Sequence, residues 1–413
     1  MNEAAHPTAH TGFNVMAKPI GPVCNLDCTY CYYVRKNELY DATDAKARMR
    51  DDQLEAYIRD YIRANPAPTV TFAWQGGEPT LLGLDYFKRV VALQQQHAVP
   101  GKTVENAFQT NGTTLDEDWC RFFRDQRFLI GISIDGPEAI HDGYRVDKGQ
   151  KPTFAKVMKG LDLLRRHQVE FNTLTTVHRK NQKHGRAVYD FLVKEACSRH
   201  LQFIPIVERR MPDGTDAGAP RLDAIDTRDW ALAPETVSGG ALGTFMCEIF
   251  DAWIARDVGR VFVYAFEQVL SQMIRGHAGI CVHEETCGNA VVLERDGGLY
   301  SCDHFVYPEF RLGTIGEQGL VDLMDSARQR TFGADKRDKL PGQCRACPVR
   351  RFCNGGCPKH RFAVTEDGEP GLNHLCPSYF RLFNHVQEPL SELANLVRAG
   401  RDPAEIMKLR KRR

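Results

Sequence analysis

The chain has 413 residues, enough for one large domain and a smaller one, each with its own core. Hydrophobic residues make up 42% and charged residues 26%, and 54 Lys plus Arg nearly cancel 53 Asp plus Glu. Bulk charge therefore recruits neither nucleic acid nor an anionic membrane, and no apolar run approaches the roughly 18 residues that span a bilayer. Met1–Gly12 lacks an apolar signal core and reads as a flexible leader (residues 1–12), which points to the cytoplasm. In that reducing compartment, the 14 cysteines are thiolates bound to something rather than disulfides.

From Phe13 to about Val207, β-rich runs alternate with amphipathic stretches. The spacing predicts strands at Asn14–Pro19, Thr69–Trp74, Val104–Gln109, Phe128–Ile134, Val169–Val177 and Leu201–Val207. Helices are expected between them at Asp52–Arg63, Leu84–His97, Asp116–Arg124, Phe154–His167 and His184–Ala196. Such alternation implies an α/β chain with a parallel sheet, doubly wound or an incomplete barrel, and functional residues just past the strand C-termini. Arg209–Gly240, rich in Asp, Gly, Ala and Pro, reads as a connector. Further on, a helix pair is expected at Leu242–Arg256 and Val263–Ile274. Strands Ala290–Glu294 and Leu299–Ser301 flank a turn at Asp296-Gly297-Gly298. A closing helix, Tyr379–Arg398, precedes a basic tail that ends in Lys408–Arg413.

The cysteines carry most of the functional signal. Cys24, Cys28 and Cys31 follow the first strand in a C-x3-C-x2-C pattern. Structural zinc wants four closed ligands, whereas a cubane held by three thiolates leaves one iron open to a substrate. Cys281, Cys287 and Cys302 form a second group, and Cys344, Cys347, Cys353, Cys357 and Cys376 a third. Eight thiolates fill two four-ligand sites if one crosses over: Cys281, Cys287, Cys302 and Cys357 in one, Cys344, Cys347, Cys353 and Cys376 in the other. Zinc is the competing reading for these paired motifs. Cys120, Cys197 and Cys247 stand alone and are expected to be small buried hydrophobes.

Loops after the later strands carry polar groups. Gln75-Gly76-Gly77-Glu78-Pro79 follows the second strand, where glycines let backbone approach a ligand and Glu78 could pair with a ligand ammonium. Ser133 ends the fourth strand and Arg145 lies a little beyond, suited to ribose hydroxyls and a carboxylate. Asp303 is pinned beside Cys302, where a carboxylate can take a proton from a thiol or hydroxyl; a solvated turn is the plainer alternative.

The first cysteine motif resembles the signature of radical S-adenosylmethionine enzymes. That resemblance implies a partial (β/α)6 TIM-like barrel over residues 13–240, with Tyr30, Gly77, Glu78, Ser133, Arg145 and Val207 around the cofactor. The later cysteines resemble a SPASM domain, a small Cys-rich α+β auxiliary-cluster module placed at residues 241–378, with a C-terminal helix and tail at 379–413. Lys18-Pro19, Cys31-Tyr32-Tyr33, Gln75–Pro79, Gln109–Gly112, Leu201–Ile204 and Cys302-Asp303 together resemble the anaerobic sulfatase-maturating enzymes. Their chemistry implies oxidation of a Cys or Ser in an unfolded sulfatase, within a Cys/Ser-x-Pro-x-Arg motif, to Cα-formylglycine. It further implies S-adenosylmethionine, three 4Fe-4S clusters, Asp303 as the base, and Gln75 and Tyr33 facing the peptide. A flavodoxin or ferredoxin donor and a monomeric enzyme complete the expectation. The alternatives are another SPASM-type maturase, crosslinking or epimerising a ribosomal peptide, and a non-catalytic zinc or electron-transfer protein.

Overall fold

The computed structural model describes residues 8–34, 36 and 48–411. Most of the expected leader (residues 1–7) and the last two residues of the basic tail lie outside the described residues. In chain order the main elements begin with β1 (Asn14–Lys18), α1 (Asp51–Ala64), β2 (Thr69–Trp74), α2 (Leu84–Gln96), β3 (Thr103–Thr110), α3 (Glu117–Asp125) and β4 (Leu129–Ser133). Next come α4 (Phe154–Arg166), β5 (Phe171–Val177), α5 (Gly185–Lys194) and β6 (His200–Pro205). The chain continues with α6 (Ala241–Arg256), α7 (Tyr264–Arg275), β7 (Ala290–Glu294), β8 (Gly298–Tyr300), β9 (Arg311–Thr314), α8 (Ala327–Asp338) and α9 (Cys376–Arg398). The expected βα alternation is present, with element ends displaced by a few residues.

Two compact units are interleaved along the sequence. The first comprises residues 1–132, 145–171 and 288–334; the second comprises 133–144, 172–287 and 335–413. In the first, β1 pairs in parallel with β2, β2 with β3, and β3 with β4. The other edge of β1 pairs in parallel with β7, which begins the antiparallel run β7, β8, β9. That pairing was not expected from sequence: it makes a strand of the Cys-rich segment a neighbour of the first strand, with Lys18 in register with Glu294. In the second unit, β5 and β6 are parallel, and β6 continues to a short strand at Phe262–Val263.

Local chemistry explains the element ends. Asp116 accepts the Trp119 N–H at 2.9 Å and caps α3. Gly276, in a left-handed conformation, closes α7. β6 ends at Pro205, which has no N–H to extend the ladder, so Val207 lies past the strand rather than at its end. α9 starts at Cys376, earlier than expected, because Pro377 suits the first helical turn. One expectation fails: Cys197 is exposed, in a left-handed turn after α5, whereas Cys120 is buried and Cys247 half-buried. The 209–240 segment is more ordered than a plain connector. Arg209–Arg210 pairs with Ala231–Leu232, and the Arg209 guanidinium lies 4.8 Å from both the Trp230 and Phe362 rings, bonded to Asp226 at 2.8 Å.

Under β1 to β3 the core is aromatic. Phe72 is fully buried, stacked with Trp74 at 5.8 Å and edge-on to Tyr57 and Tyr61. Phe72→Ala should therefore cost about 3–5 kcal/mol, seen as a lower urea midpoint under anaerobic conditions. An unchanged midpoint would remove this ring cluster from the stability of the first unit.

Candidate active site

The loop after β1 presents Cys24, Cys28 and Cys31. The Cys31 N–H donates to the Cys28 carbonyl at 2.9 Å, closing the x2 spacing into a turn. Cys24 Sγ accepts from the Leu26 N–H at 3.4 Å and from Asn111 Nδ2 at 3.8 Å. Asn111 also donates to Asn25 Oδ1 at 2.8 Å, and Asn25 donates to Thr113 at 2.9 Å, tying the cysteine loop to the loop after β3. Burial pushes the Cys24 thiol up to about 11, so the folded loop holds it neutral until a metal displaces the proton.

The Gly-Gly-Glu-Pro loop is bolted to the cysteine loop through backbone. Gly77 N–H donates to the Gly21 carbonyl at 2.8 Å and Glu78 N–H to the Val23 carbonyl at 2.9 Å. A Cβ on Gly77 would stand 2.0 Å from the Val23 oxygen, so no side chain fits there. Glu78 is fully buried and its oxygens are occupied from within the protein. Oε1 accepts from the Thr80 N–H (3.1 Å) and from the Thr80 and Thr110 hydroxyls (2.7 and 2.9 Å), while Oε2 accepts from the Asn111 N–H (2.7 Å). Glu78 thus braces the loops after β2 and β3 around Cys24. Burial raises its carboxyl above the ordinary value, against the pull of these donors.

Of the other expected cofactor residues, Ser133 ends β4, whereas Tyr30, Arg145 and Val207 lie in the chain beyond β1, β4 and β6. In the first unit, the Arg145 guanidinium lies 5.6 Å from the Tyr30 ring, and both residues are largely buried. Gln75 directly follows β2, where its N–H donates to the Ala17 carbonyl at 2.9 Å. Ser133 is half-buried at the end of β4, and Val207 is buried beyond β6.

Asp303 sits in the first unit with partners that sequence reasoning did not assign. Its carboxylate forms an ion pair with Lys18, which is almost wholly buried at the C-terminal end of β1. The Tyr32 hydroxyl donates to the other oxygen, Oδ2, at 2.6 Å. Burial alone would raise this carboxyl, but the Lys18 ammonium and His304 outweigh it and hold it below the usual carboxylate range. Tyr33 is buried, donates to Glu294 at 2.5 Å, and offers its ring to the Lys18 ammonium at 3.6 Å. The usable signal was Lys18-Pro19: a lysine at a strand C-terminus of an α/β sheet is already in a functional position.

Of the eight later cysteines, Cys302 falls in the first unit and the other seven in the second. Within the second unit, burial pushes Cys353 up to about 12 and Cys344 up to about 11, with mutual repulsion among Cys344, Cys347, Cys353 and Cys376 contributing. Cys357 is likewise raised to about 12 by burial, with Cys281 and Cys287 as its charged neighbours. Among the described residues, no three His, Cys, Asp or Glu side chains converge as one bound metal ion demands. Cysteines that ligate separate irons of a cubane need no such convergence. The three-thiol loop, with N–H groups aimed at a sulfur, suits an iron–sulfur site.

The Gly77 clamp is testable. Gly77→Ala must displace the loop after β1 and should weaken S-adenosylmethionine binding about tenfold or more, measured by equilibrium dialysis against the iron-loaded protein. Wild-type affinity would show that this close approach does not shape the cofactor site.

Comparison with known proteins gives the family. Residues 19–192 match the radical SAM superfamily, and residues 281–348 match the iron–sulfur cluster-binding domain known as SPASM. The serine-type anaerobic sulfatase-maturating enzyme of Bacteroides thetaiotaomicron is 43% identical over 95% of this chain and 94% of its own length. The cysteine-type enzyme of Clostridium perfringens is 32% identical over 93% and 99%. A solved structure, native anSMEcpe with bound AdoMet and Cp18Cys peptide, superposes with a TM-score of 0.80 at 30% identity, covering 95% of this chain and all of that one. The chain belongs to the anaerobic sulfatase-maturating enzymes, oxidoreductases of the radical S-adenosylmethionine superfamily.

Proposed function

We infer that this protein oxidises a Ser or Cys side chain of an unfolded sulfatase to Cα-formylglycine, with Asp303 as the proton acceptor. The observation that carries the assignment is the Lys18–Asp303 ion pair with Tyr32 on the second oxygen: it fixes an ionised carboxylate at the end of β1. The substrate side chain must lose a hydrogen atom from Cβ, a proton from its hydroxyl or thiol, and one further electron; Ser then gives the aldehyde directly, whereas Cys gives a thioaldehyde that water hydrolyses with release of hydrogen sulfide. When bound, S-adenosylmethionine on the Cys24, Cys28 and Cys31 cluster supplies the 5′-deoxyadenosyl radical that takes the hydrogen atom, and the two auxiliary clusters supply the sink for the electron. Asp303 takes the proton. Loss of the electron leaves the hydroxyl or thiol as that of a protonated carbonyl or thiocarbonyl, which is strongly acidic, so a carboxylate weakened by Lys18 is a sufficient base. Lys18 and Tyr32 keep that carboxylate in one orientation.

Around the cofactor, Tyr30, Gly77 and Arg145 of the first unit are assigned to the site, and Glu78 acts by bracing it; Ser133 and Val207, in the second unit, are assigned to it by the resemblance alone. Gln75 and Tyr33 stand on the peptide side, Tyr33 through its support of Lys18. Ligand sets of Cys281, Cys287, Cys302 and Cys357, and of Cys344, Cys347, Cys353 and Cys376, are supported by spacing and by the charge coupling among the seven in the second unit. Cys302 joins its set by spacing alone. The division into residues 13–240 and 241–378, the flavodoxin or ferredoxin donor, the cytoplasmic location and the monomeric state belong to the same proposal. Among the described residues no helix is long and apolar enough to cross a membrane.

The higher identity to a serine-type relative, 43% against 32% for a cysteine-type one, supports Ser at the target position. Peptides carrying Ser-x-Pro-x-Arg and Cys-x-Pro-x-Arg, incubated with reconstituted enzyme and reductant, should both be followed by mass spectrometry. Conversion of the Ser peptide to the aldehyde is expected. Cleavage of S-adenosylmethionine with both peptides unchanged would remove the sulfatase assignment in favour of another peptide maturase. Asp303→Asn should keep its iron yet lose peptide oxidation by roughly 10²–10⁴-fold. Full turnover in that variant would take Asp303 out of the mechanism.

A further inference from the structure

In the second unit, two cations are buried without carboxylate partners. Lys336, near the end of α8, and Arg361, just past Cys357, are both wholly inaccessible to solvent. The Lys336 ammonium donates to the carbonyls of Cys281, Val282 (3.0 Å) and Glu284, which a tight turn between Cys281 and Cys287 brings together. The Arg361 guanidinium donates to the carbonyls of Gly371 and Lys336, both at 2.8 Å, and to that of Lys339. The two cations are thus linked: Arg361 holds the Lys336 backbone, and the Lys336 side chain holds the Cys281 loop. Asp335, the acidic residue beside Lys336, is engaged with Lys339 at 3.0 Å. Among the described residues, no Asp or Glu forms an ion pair with Lys336 or Arg361.

Carbonyl dipoles solvate such charges but do not neutralise them, and a buried cation without a counter-charge is unfavourable. The Lys336 ammonium sits on the backbone of Cys281 itself, and Arg361 lies four residues past Cys357. Burial lowers the pKa of both cations; Cys287, Cys281, Cys357 and Cys353, once ionised, oppose that at Lys336, and Cys344, Cys287, Cys353 and Cys357 at Arg361. These are ligands of both auxiliary sets. Four thiolates around a four-iron cluster leave a net negative charge, and each electron taken up adds one more.

We propose that Lys336 and Arg361 are the resident counter-cations of the auxiliary clusters, pinning the Cys281–Cys287 loop and raising the reduction potentials so that those clusters take the electron leaving the peptide. The proposal rests on the auxiliary-cluster reading above. In the step it serves, the peptide radical is oxidised by one electron and an auxiliary cluster is reduced by one. The electron then passes to a one-electron carrier, and the proton goes separately to Asp303. Lys336 stabilises the product of that transfer more than its reactant, because it faces an anion that grows by one charge. It is a positioning and tuning residue, and touches neither peptide nor S-adenosylmethionine in this role.

Potentiometric titration of the full-length, iron-loaded protein, read by electron paramagnetic resonance, tests this directly. The first cluster is recognised by the change of its signal on adding S-adenosylmethionine. In Lys336→Met, at fixed solution potential, auxiliary clusters should be reduced about tenfold less, a shift of about 59 mV for one electron, with the first cluster unmoved. Lys336→Arg should restore most of the difference. Wild-type auxiliary potentials in an iron-replete Lys336→Met protein would overturn the proposal. So would a loss of iron that Lys336→Arg fails to restore, since Lys336 would then be a packing residue. Iron lost in Lys336→Met and regained in Lys336→Arg supports the counter-cation role. The underlying assignment is read separately from the wild type: close to four irons per chain, rather than about twelve, would sink the auxiliary clusters themselves.

Discussion

The parallel pairing of β1 with β7 is the constraint on which the chemistry of the first unit depends. It fixes Lys18 beside Glu294 in register. From that register the rest follows: Tyr33 bridges to Glu294, its ring faces the Lys18 ammonium, and Lys18 reaches Asp303 just past β8. A one-residue slip would turn Lys18 to the opposite face of the sheet and leave Asp303 without its counter-charge. Segments far apart in sequence, the end of β1 and the turn past β8, therefore supply the two halves of one ion pair.

The same economy of charge recurs around the cysteines. Three buried ionisable groups in the first unit have compensating neighbours: Glu78 collects four donors, Asp303 has Lys18 and Tyr32, and Cys24 has two N–H groups. In the second unit, Lys336 and Arg361 lean instead on backbone carbonyls. Burial raises the thiols Cys24, Cys287, Cys344, Cys353 and Cys357, so without metal this protein carries neutral sulfur in low-dielectric surroundings. Iron binding then has to release protons as it proceeds.

Much of this was legible in the sequence because periodicity and spacing are local. The alternation behind β1 to β6, the placement of the Gly-Gly-Glu-Pro loop past β2 and the grouping of the cysteines all come from residues near one another in the chain. What escaped was non-local. Nothing in Ala290–Glu294 announces that its partner is Asn14–Lys18, since a short apolar run fits many edges. The burial of Lys336 and Arg361 was equally hidden, because a helix-terminal lysine reads as solvated until a loop folds over it. Cys197 departs from expectation for a simpler reason: a left-handed turn carries it to the surface, and the sequence around it has no glycine to signal that turn.

The first unit is stitched from three separated stretches, the last of them residues 288–334. On the ribosome, β1 is made early while β7 follows only about 270 residues later, so one edge of β1 waits bare for most of translation. An unpaired strand edge invites pairing with another chain, and the thiols of Cys24, Cys28 and Cys31 follow directly behind it. A nascent chain of this enzyme thus has a long vulnerable interval, in which chaperone cover and low oxygen matter before the iron does. A fragment ending before residue 288 would lack the strand that covers this edge of β1.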